Sequence, residues 1–136
     1  MATLDVAVVA VDRPVWKGEA VRIITRTIVG DIGILPGHEP FLAILADNLL
    51  RIVPPEGDEM VFAVHGGFIS LDGDVVKILA ESAELGSEVD VQRAERAKQR
   101  AIDAGADDPD EIAAIHRAES RIDAAMWHQQ ALRKSR

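Results

Sequence analysis

The chain has 136 residues, a net charge of −8 and no cysteine. This length suffices for one hydrophobic core, or for one compact domain with a small appendage. The absence of cysteine excludes disulfides, thiol catalysis and thiolate metal sites, and the acidic balance argues against binding to nucleic acid or anionic lipid.

No segment of the sequence predicts export or insertion into a membrane. The amino terminus lacks a basic region, and Asp5 interrupts its apolar run, so a secretory signal is not expected. The longest apolar stretch, residues 41–53, is broken by polar side chains and is too short to span a bilayer. We therefore expect a soluble, cytoplasmic protein.

Residues 3–84 have the pattern of short strands separated by turns. Residues 4–11 alternate with a period of two, and residues 21–29 are rich in β-branched side chains. Further strands are predicted at 48–53, 60–64, 68–71 and 75–79. Turn signals between them, such as Gly66-Gly67, indicate an antiparallel sandwich or barrel, and strands that are apolar on both faces favour the two-layer sandwich.

The segment from Gly30 to Pro40 is unusually stiff and apolar for a surface loop. It holds three glycines and two prolines, with apolar residues between them. Most surface loops are more polar than this. We therefore predict a loop that holds one shape and presents it to a partner.

After Glu84 the sequence changes to helical patterns. Ser87 and Asp90 resemble a capping box before a helix that reaches Ala104, and Gly105 ends it. Asp108 then caps a second helix, with Pro109 in its first position, that runs to about residue 132. The predicted fold is an all-β antiparallel sandwich (residues 1–85) followed by a C-terminal antiparallel α-helical hairpin (residues 86–136).

Small side chains are predicted to form the seam of this hairpin. The first helix offers Ala94, Ala97, Ala101 and Ala104, and the second offers Ile112, Ile115, Ala118, Ile122, Ala125 and Met126. Such a seam buries little apolar area. At about 25 cal/mol per Å² of buried apolar surface, its packing exceeds the cost of ordering by only a few kcal/mol. We expect a hairpin that is stable when docked and able to move when released.

No set of residues points to catalysis or to a metal. His38, Glu39 and His65 have no metal-ligand spacing, and surface or interface histidines are the simpler interpretation. The aspartates of the sandwich have no nucleophile or base beside them in the sequence. Trp16 and Trp127 are expected to pack, and Trp127 is the better candidate for an interface.

Four segments in order resemble the epsilon subunit of bacterial F-type rotary ATP synthases. They are residues 8–16 followed by Gly18, residues 30–40, residues 64–84 and residues 89–94. The resemblance implies a sandwich at the foot of the central stalk, bound to the gamma subunit and to the ring of c subunits. It also implies a hairpin with two positions. Folded on the sandwich it is permissive, and extended along gamma it blocks ATP hydrolysis.

The resemblance also assigns interface residues. It places Asp31, Gly33, Gly37 and His38 at the surface that meets gamma and the c-ring. The basic residues of the hairpin would then pair with acidic segments of the alpha/beta catalytic head; they are Arg93, Arg96, Lys98, Arg100, Arg133, Lys134 and Arg136. A non-catalytic subunit is implied, held peripherally at the cytoplasmic side of the plasma membrane without inserting into it.

Some members of the family bind ATP on the folded hairpin. Glu84, Asp90, Arg93, Ala94 and Arg100 match that motif, but its second-helix arginines correspond to Ala124 and His128. No cofactor is therefore expected, and ATP is retained only as a regulatory ligand. Two alternatives stay open: a stand-alone ATP sensor of the same fold, and a small β-sandwich enzyme with a metal or carboxylate site.

Overall fold

The computed structural model describes residues 2–105 and 107–134, with side chains described up to residue 130. Ten strands precede two helices, with a short 3₁₀ turn at Gly86–Glu88 between them. The strands are β1 Leu4–Ala10, β2 Arg13–Ala20, β3 Arg22–Thr27, β4 Gly30–Ile34, β5 Phe41–Ile44, β6 Asn48–Val53, β7 Met60–His65, β8 Phe68–Asp72, β9 Val75–Ala80 and β10 Ser82–Leu85. The helices are α1 Val91–Gly105 and α2 Pro109–Lys134. The predicted sandwich followed by a helical hairpin is confirmed.

The strands form two five-stranded sheets. The first has the order β2-β1-β9-β8-β5, and the second has the order β10-β7-β6-β3-β4. The pairing is antiparallel except between β1 and β9, which run in the same direction. Parallel neighbours need a long connection, and here most of the sandwich lies between the two strands. The sequence does not predict this one parallel pair within the antiparallel sandwich.

The core lies between the two sheets and is aliphatic. Alternate residues of each strand point inward, as the period of two requires. On β1 these are Leu4, Val6 and Val8, and Phe62 is the one fully buried aromatic ring among the described residues. The core continues through Ile23, Ile34, Leu50, Ile52, Ile69, Leu71, Val76 and Ile78.

The segment predicted as one loop, residues 30–40, is half strand. Its first part is β4, which pairs with β3 so that Asp31 lies opposite Arg26 and Gly33 opposite Ile24. The intervening turn is Ile28 and Val29, which had been predicted to belong to the strand. The stiff loop is therefore residues 35–40, which carries the chain from the second sheet to the first.

Capping determines where each helix begins. The backbone amide of Arg93 donates to the Asp90 carboxylate at 3.1 Å, so Asp90 caps α1, and Ser87 lies in the 3₁₀ turn instead. The amide of Asp110 donates to Asp108 at 2.8 Å, which confirms the predicted cap of α2. Neither described helix is long and apolar enough to cross a membrane.

The seam of the hairpin is narrower than predicted. Ala94, Ala101, Ala118 and Ala125 are buried, but Ala104, Ile112 and Met126 are exposed. The reason is that α2 lies between α1 and the second sheet, so its apolar residues are divided between two partners. Ala124, which faces the sheet, is completely buried.

Candidate functional site

The outer face of the second sheet is the surface on which the hairpin docks. Val61, Ala63 and His65 alternate along β7 with core residues and so point away from the core, yet all three are buried. Ala124 of α2 packs on Val61 and Ala63, with Leu49 and Trp127 at the margin. The burial of this outer row therefore depends on α2. We call the surface formed by Leu49, Arg51, Val61, Ala63, His65 and Glu84 the docking face.

Trp127 anchors the carboxyl-terminal half of α2. Its ring lies 4.4 Å from the Arg51 guanidinium carbon, in a cation–π arrangement. Arg51 is itself held by Glu59 through an Nε–Oε1 hydrogen bond of 2.7 Å. In this closed state Trp127 is thus a packing residue against the sandwich.

Polar contacts fix the position of α2 along the docking face. Arg121 donates from Nε and Nη2 to the two carboxylate oxygens of Glu84, at 3.1 and 3.3 Å. The Ser120 hydroxyl reaches the backbone carbonyl of Asp47 at 3.5 Å. The bidentate pair joins the edge strand β10 to the helix, and its geometry specifies one register of docking.

The backbone of Gly86, in the 3₁₀ turn, closely approaches the backbone of α2. A Cβ atom at this position would lie 2.4 Å from the carbonyl oxygen of Ala124. The atoms that this Cβ would meet belong to the backbone of α2, which cannot move aside as a flexible side chain could. Glycine at position 86 is therefore a requirement of the closed state.

A cleft of about 540 Å³ separates one end of the sandwich from the hairpin. The β1–β2 turn contributes Asp12 and the start of β2 contributes Arg13. The docking face contributes His65 and Glu84, and α2 contributes Arg117 and Arg121. His65 is only 7% exposed, and its Nδ1 atom has no hydrogen-bond partner among the described residues. Burial lowers the pKa of the His65 imidazole below its ordinary value.

The outer face of the first sheet, by contrast, is bare in the described chain. Cross-strand pairing places Ile44, Phe68 and Leu79 in one row across three strands. All three are about half exposed, and Leu42 beside them is more so. We call these four residues the apolar row. An exposed apolar stretch of this kind on an ordered sheet is typical of a protein–protein interface.

The β3–β4 turn extends this exposed surface. Its two residues, Ile28 and Val29, are apolar, and Val29 is 91% exposed. Two-residue hairpin turns usually carry Asn, Asp or Gly instead. The amide of Ile28 donates to the carbonyl of Ile44, so the turn lies beside the apolar row. Behind it, Arg26 donates to Asp31 at 2.7 Å and lowers the pKa of that carboxyl.

The structure does not bring the four predicted interface residues together. Asp31 and Gly33 lie on the outer side of the edge strand β4, with Asp31 near the β3–β4 turn and Gly33 one residue before the strand ends. Gly37 and His38 lie in the loop at the other end of that strand, where the Gly37 amide donates to the Asp74 carboxylate at 2.8 Å. Since a strand rises about 3.3 Å per residue, Asp31 and the 37–38 pair are separated by most of the length of β4, and Gly33 lies between them. Asp31 and Gly37 therefore lie towards opposite ends of the sandwich.

The residues matched to the ATP motif also divide into two sets. Glu84 faces Arg121 on the docking face, and Asp90 caps α1. Arg93 and Arg100 instead lie on the exposed side of α1, where they line a shallow surface with Arg96, Gln99 and Asp103. Ala124 packs against the sheet, and His128 follows Trp127 on α2. The side chains of Arg133 and Lys134, and Arg136 as a whole, lie outside the described residues.

Sequence reasoning missed the apolar row and the apolar turn. Phe68 and Leu79 had been assigned to strands with both faces apolar, and the second face was expected to be buried. One signal for an interface was present in the sequence, namely two β-branched residues, Ile28 and Val29, directly before Gly30 where a turn was required. His65, for which a surface or interface position is the sequence prediction, lies under the hairpin.

The comparison with known families identifies this arrangement. Residues 3–86, which contain all ten strands, match the family model described as the β-sandwich domain of the ATP synthase delta/epsilon chain. The chain belongs to this family. The resemblance noted in the sequence is thereby confirmed.

Relatives and solved structures extend the match to the helices. The ATP synthase epsilon chain of Streptomyces coelicolor is 46% identical over 124 residues, which are 91% of this chain and 96% of that relative. That of Mycobacterium avium is 48% identical over 122 residues, 89% of this chain and 95% of the relative. A chain in a Euglena gracilis mitochondrial ATP synthase structure, which comprises OSCP, F1 and the c-ring, has a TM-score of 0.70 at 25% identity. The match covers 97% of this chain and 82% of that one.

Proposed function

We propose that this chain couples rotation of the c-ring to ATP synthesis as a non-catalytic subunit of the central stalk, and that its hairpin regulates ATP hydrolysis. The observation that carries the proposal is the epsilon-family match across the whole sandwich, joined to a helical hairpin that docks on one outer face. Membership of the epsilon family makes the chain a central-stalk subunit of a bacterial F-type ATP synthase. The gamma subunit, the c-ring and the alpha/beta head are proposed partners.

The apolar row is the proposed contact with gamma. A soluble monomer rarely keeps Phe68, Leu79 and Ile44 side by side in water, and a permanent rotor interface would cover them. The opposite outer face is already occupied by α2. Binding of gamma through the bare face would therefore hold the sandwich and leave the hairpin free to move.

The β3–β4 turn is the proposed contact with the c-ring. Ile28 and Val29 protrude from the sandwich, and the Arg26–Asp31 pair behind them offers one charge of each sign. Gly33 leaves open space on the outer side of β4, since no atom lies within 4 Å of the position of its missing Cβ. Gly37 and His38, at the far end of β4, are proposed to contact gamma or a neighbouring stalk segment. The complex would hold the chain peripherally at the cytoplasmic side of the plasma membrane.

The hairpin is the proposed regulatory arm. Among the described residues, its contact with the sandwich includes a small apolar patch, a cation–π contact, a bidentate ion pair and the Ser120–Asp47 hydrogen bond. Such an interface is compatible with a difference in free energy of a few kcal/mol between the closed and extended states of the hairpin. Arg93, Arg96 and Arg100, exposed on α1, are available to acidic segments of the catalytic head.

ATP remains a proposed regulatory ligand rather than a resident cofactor. A thermal-shift titration with Mg-ATP distinguishes a sensor from a pure coupler, because a ligand that binds the folded chain raises its melting temperature in a saturable way. The division of Glu84 from Arg93 and Arg100 in the closed state favours the coupler.

Co-purification of rotor subunits tests the proposed role of the sandwich. We expect Phe68→Glu to lose gamma, because a charge at the centre of the apolar row cannot be desolvated in the interface. Val11→Glu is the matched control, since Val11 is also apolar and exposed but lies in the β1–β2 turn. Gly33→Val should weaken attachment to the c-ring without strain in the fold, because the site is open and its φ is not positive.

Normal recovery of gamma with Phe68→Glu would contradict the assignment of this face. Circular dichroism of each purified variant separates a lost interface from a lost fold. If Phe68→Glu and Val11→Glu both lose gamma while folded, the effect is added negative charge and the apolar row is not the contact.

A further inference from the structure

His65 occupies a position that the coupling role does not explain. It lies on the outer side of β7, in line with Val61 and Ala63, and the hairpin covers all three. A buried polar atom normally finds a hydrogen-bond partner. Nδ1 of His65 finds none among the described residues. The closed state therefore holds a nearly buried imidazole whose Nδ1 atom has no partner among the described residues.

The charged groups around His65 come from every element packed against it. The second sheet supplies Glu84, the turn between β5 and β6 supplies Asp47, and α2 supplies Arg117 and Arg121. Asp12, Arg13 and Glu88 line the same cleft. The two carboxylates near the imidazole are already engaged. Glu84 accepts both bonds of Arg121, and Asp47 accepts the Gly66 amide at 2.7 Å.

We propose that His65 makes the closure of the hairpin sensitive to pH: the neutral imidazole permits docking of α2, and protonation of His65 releases it. Release of α2 exposes the imidazolium of His65 to water. It also takes away Arg117 and Arg121, the two cations that α2 brings towards the ring. It also frees Glu84 from Arg121, so that a carboxylate on the same face becomes available to the new charge. Each of these changes favours the protonated form in the open state.

The sign of the effect follows from proton linkage. In the closed state the pKa of His65 is lowered, chiefly by burial, whereas on the open face it returns towards the ordinary value near 6.5. Between these two values the open state binds more protons, so acidification favours opening. The ratio of closed to open chains should fall by up to about tenfold per pH unit below pH ~6.5, until the closed-state pKa is reached.

The pH response is a property of the hairpin itself and does not require any partner. Its consequence in the assembled enzyme rests on the proposed function. There, acidification of the surrounding compartment would shift the arm from its permissive, folded position towards the extended one.

A distance measurement within the full chain tests the inference. Because the chain has no cysteine, Val29→Cys and Met126→Cys provide unique sites for two spin labels, both exposed and both away from the docking face. We expect a single narrow distribution of distances at pH ~8 and a growing second population towards pH ~5.5, within the range where histidine titrates. His65→Gln should keep the single distribution throughout, since glutamine stays neutral.

His116→Gln is the matched control, because His116 is an exposed histidine of α2. It should respond to pH as the unsubstituted chain does. The inference is overturned if the unsubstituted chain keeps one distance at every pH, or if His65→Gln opens with the same midpoint.

Titration of the His65 ring by NMR in the unsubstituted chain gives a second test that needs no substitution at this position. We expect an apparent pKa below the ordinary value near 6.5, and Gly86→Ala, which obstructs docking, should raise it towards that value. A His65 whose pKa is not lowered in the closed chain would also overturn the inference.

Discussion

At the scale of single residues, the docking face depends on a few side chains with distinct roles. Trp127 supplies apolar contact area and an aromatic ring that packs on Arg51. Arg121 and Glu84 fix the position of α2 on the docking face through two hydrogen bonds. Their ion pair is partly exposed, so its contribution is modest, and the apolar contact of Trp127 should dominate.

Trp127→Ala should therefore loosen α2. Loss of the ring contact and of the apolar packing should cost about 2 kcal/mol of docking free energy, given the usual values for a half-buried aromatic with a cation–π partner. Amide exchange in the second half of α2 should then accelerate by roughly 30-fold. The neighbouring Met126→Ala is the control, because Met126 points into solvent and should leave exchange unchanged. Equal effects of the two substitutions would show that Trp127 is not the anchor.

At the scale of elements, interior and edge strands differ in how clearly their sequences predict them. The six strands predicted from the sequence, β1, β3, β6, β7, β8 and β9, are the interior strands of the two sheets. The four that were missed are the edges. β2 contains Pro14 and Gly18, and β4 begins with glycine. Edge strands tolerate such residues because one side needs no ladder, so their pattern is weaker.

The close packing of α2 on the 3₁₀ turn also requires glycine at position 86. Gly86→Ala should displace α2, because the added Cβ would meet the Ala124 carbonyl oxygen and the helix backbone has to move. We expect a loss of about 1–3 kcal/mol of docking free energy, as is usual for overpacking. Gly33→Ala adds the same methyl group where nothing lies within 4 Å and should be silent. Melting curves and amide exchange of both variants test this, and an equally stable Gly86→Ala would contradict the tight approach.

At the scale of the whole molecule, the two sheets have different neighbours. The second sheet is covered by the chain's own hairpin, and the first keeps its apolar row exposed. This asymmetry suits a subunit that is fixed to a rotor on one side and carries a movable arm on the other. The proposed regulation then follows from the small free energy that separates docked and released arms.

A reversible lock on the hairpin tests this regulation in the assembled enzyme. Ala63 and Ala124 belong to one buried cluster, and in this cysteine-free chain Ala63→Cys with Ala124→Cys should allow a disulfide that holds the arm closed. We expect ATP hydrolysis to be several-fold higher in the oxidised enzyme than after reduction, with synthesis retained. Each single-cysteine variant should not respond to reductant. Equal hydrolysis in the locked and released states would remove the hairpin from the regulatory role.

The sequence by itself determined the fold class, the interior strands, the cap of α2 and the family. These features depend on local periodicity, on capping residues and on ordered motifs, all of which act over short stretches of chain. Tertiary structure alone decided that β1 and β9 pair in parallel, that Asp31 and His38 lie at opposite ends of β4, and that His65 lies beneath α2. Such relations join residues distant in sequence, and which face of a strand becomes covered is decided only when another element packs on it.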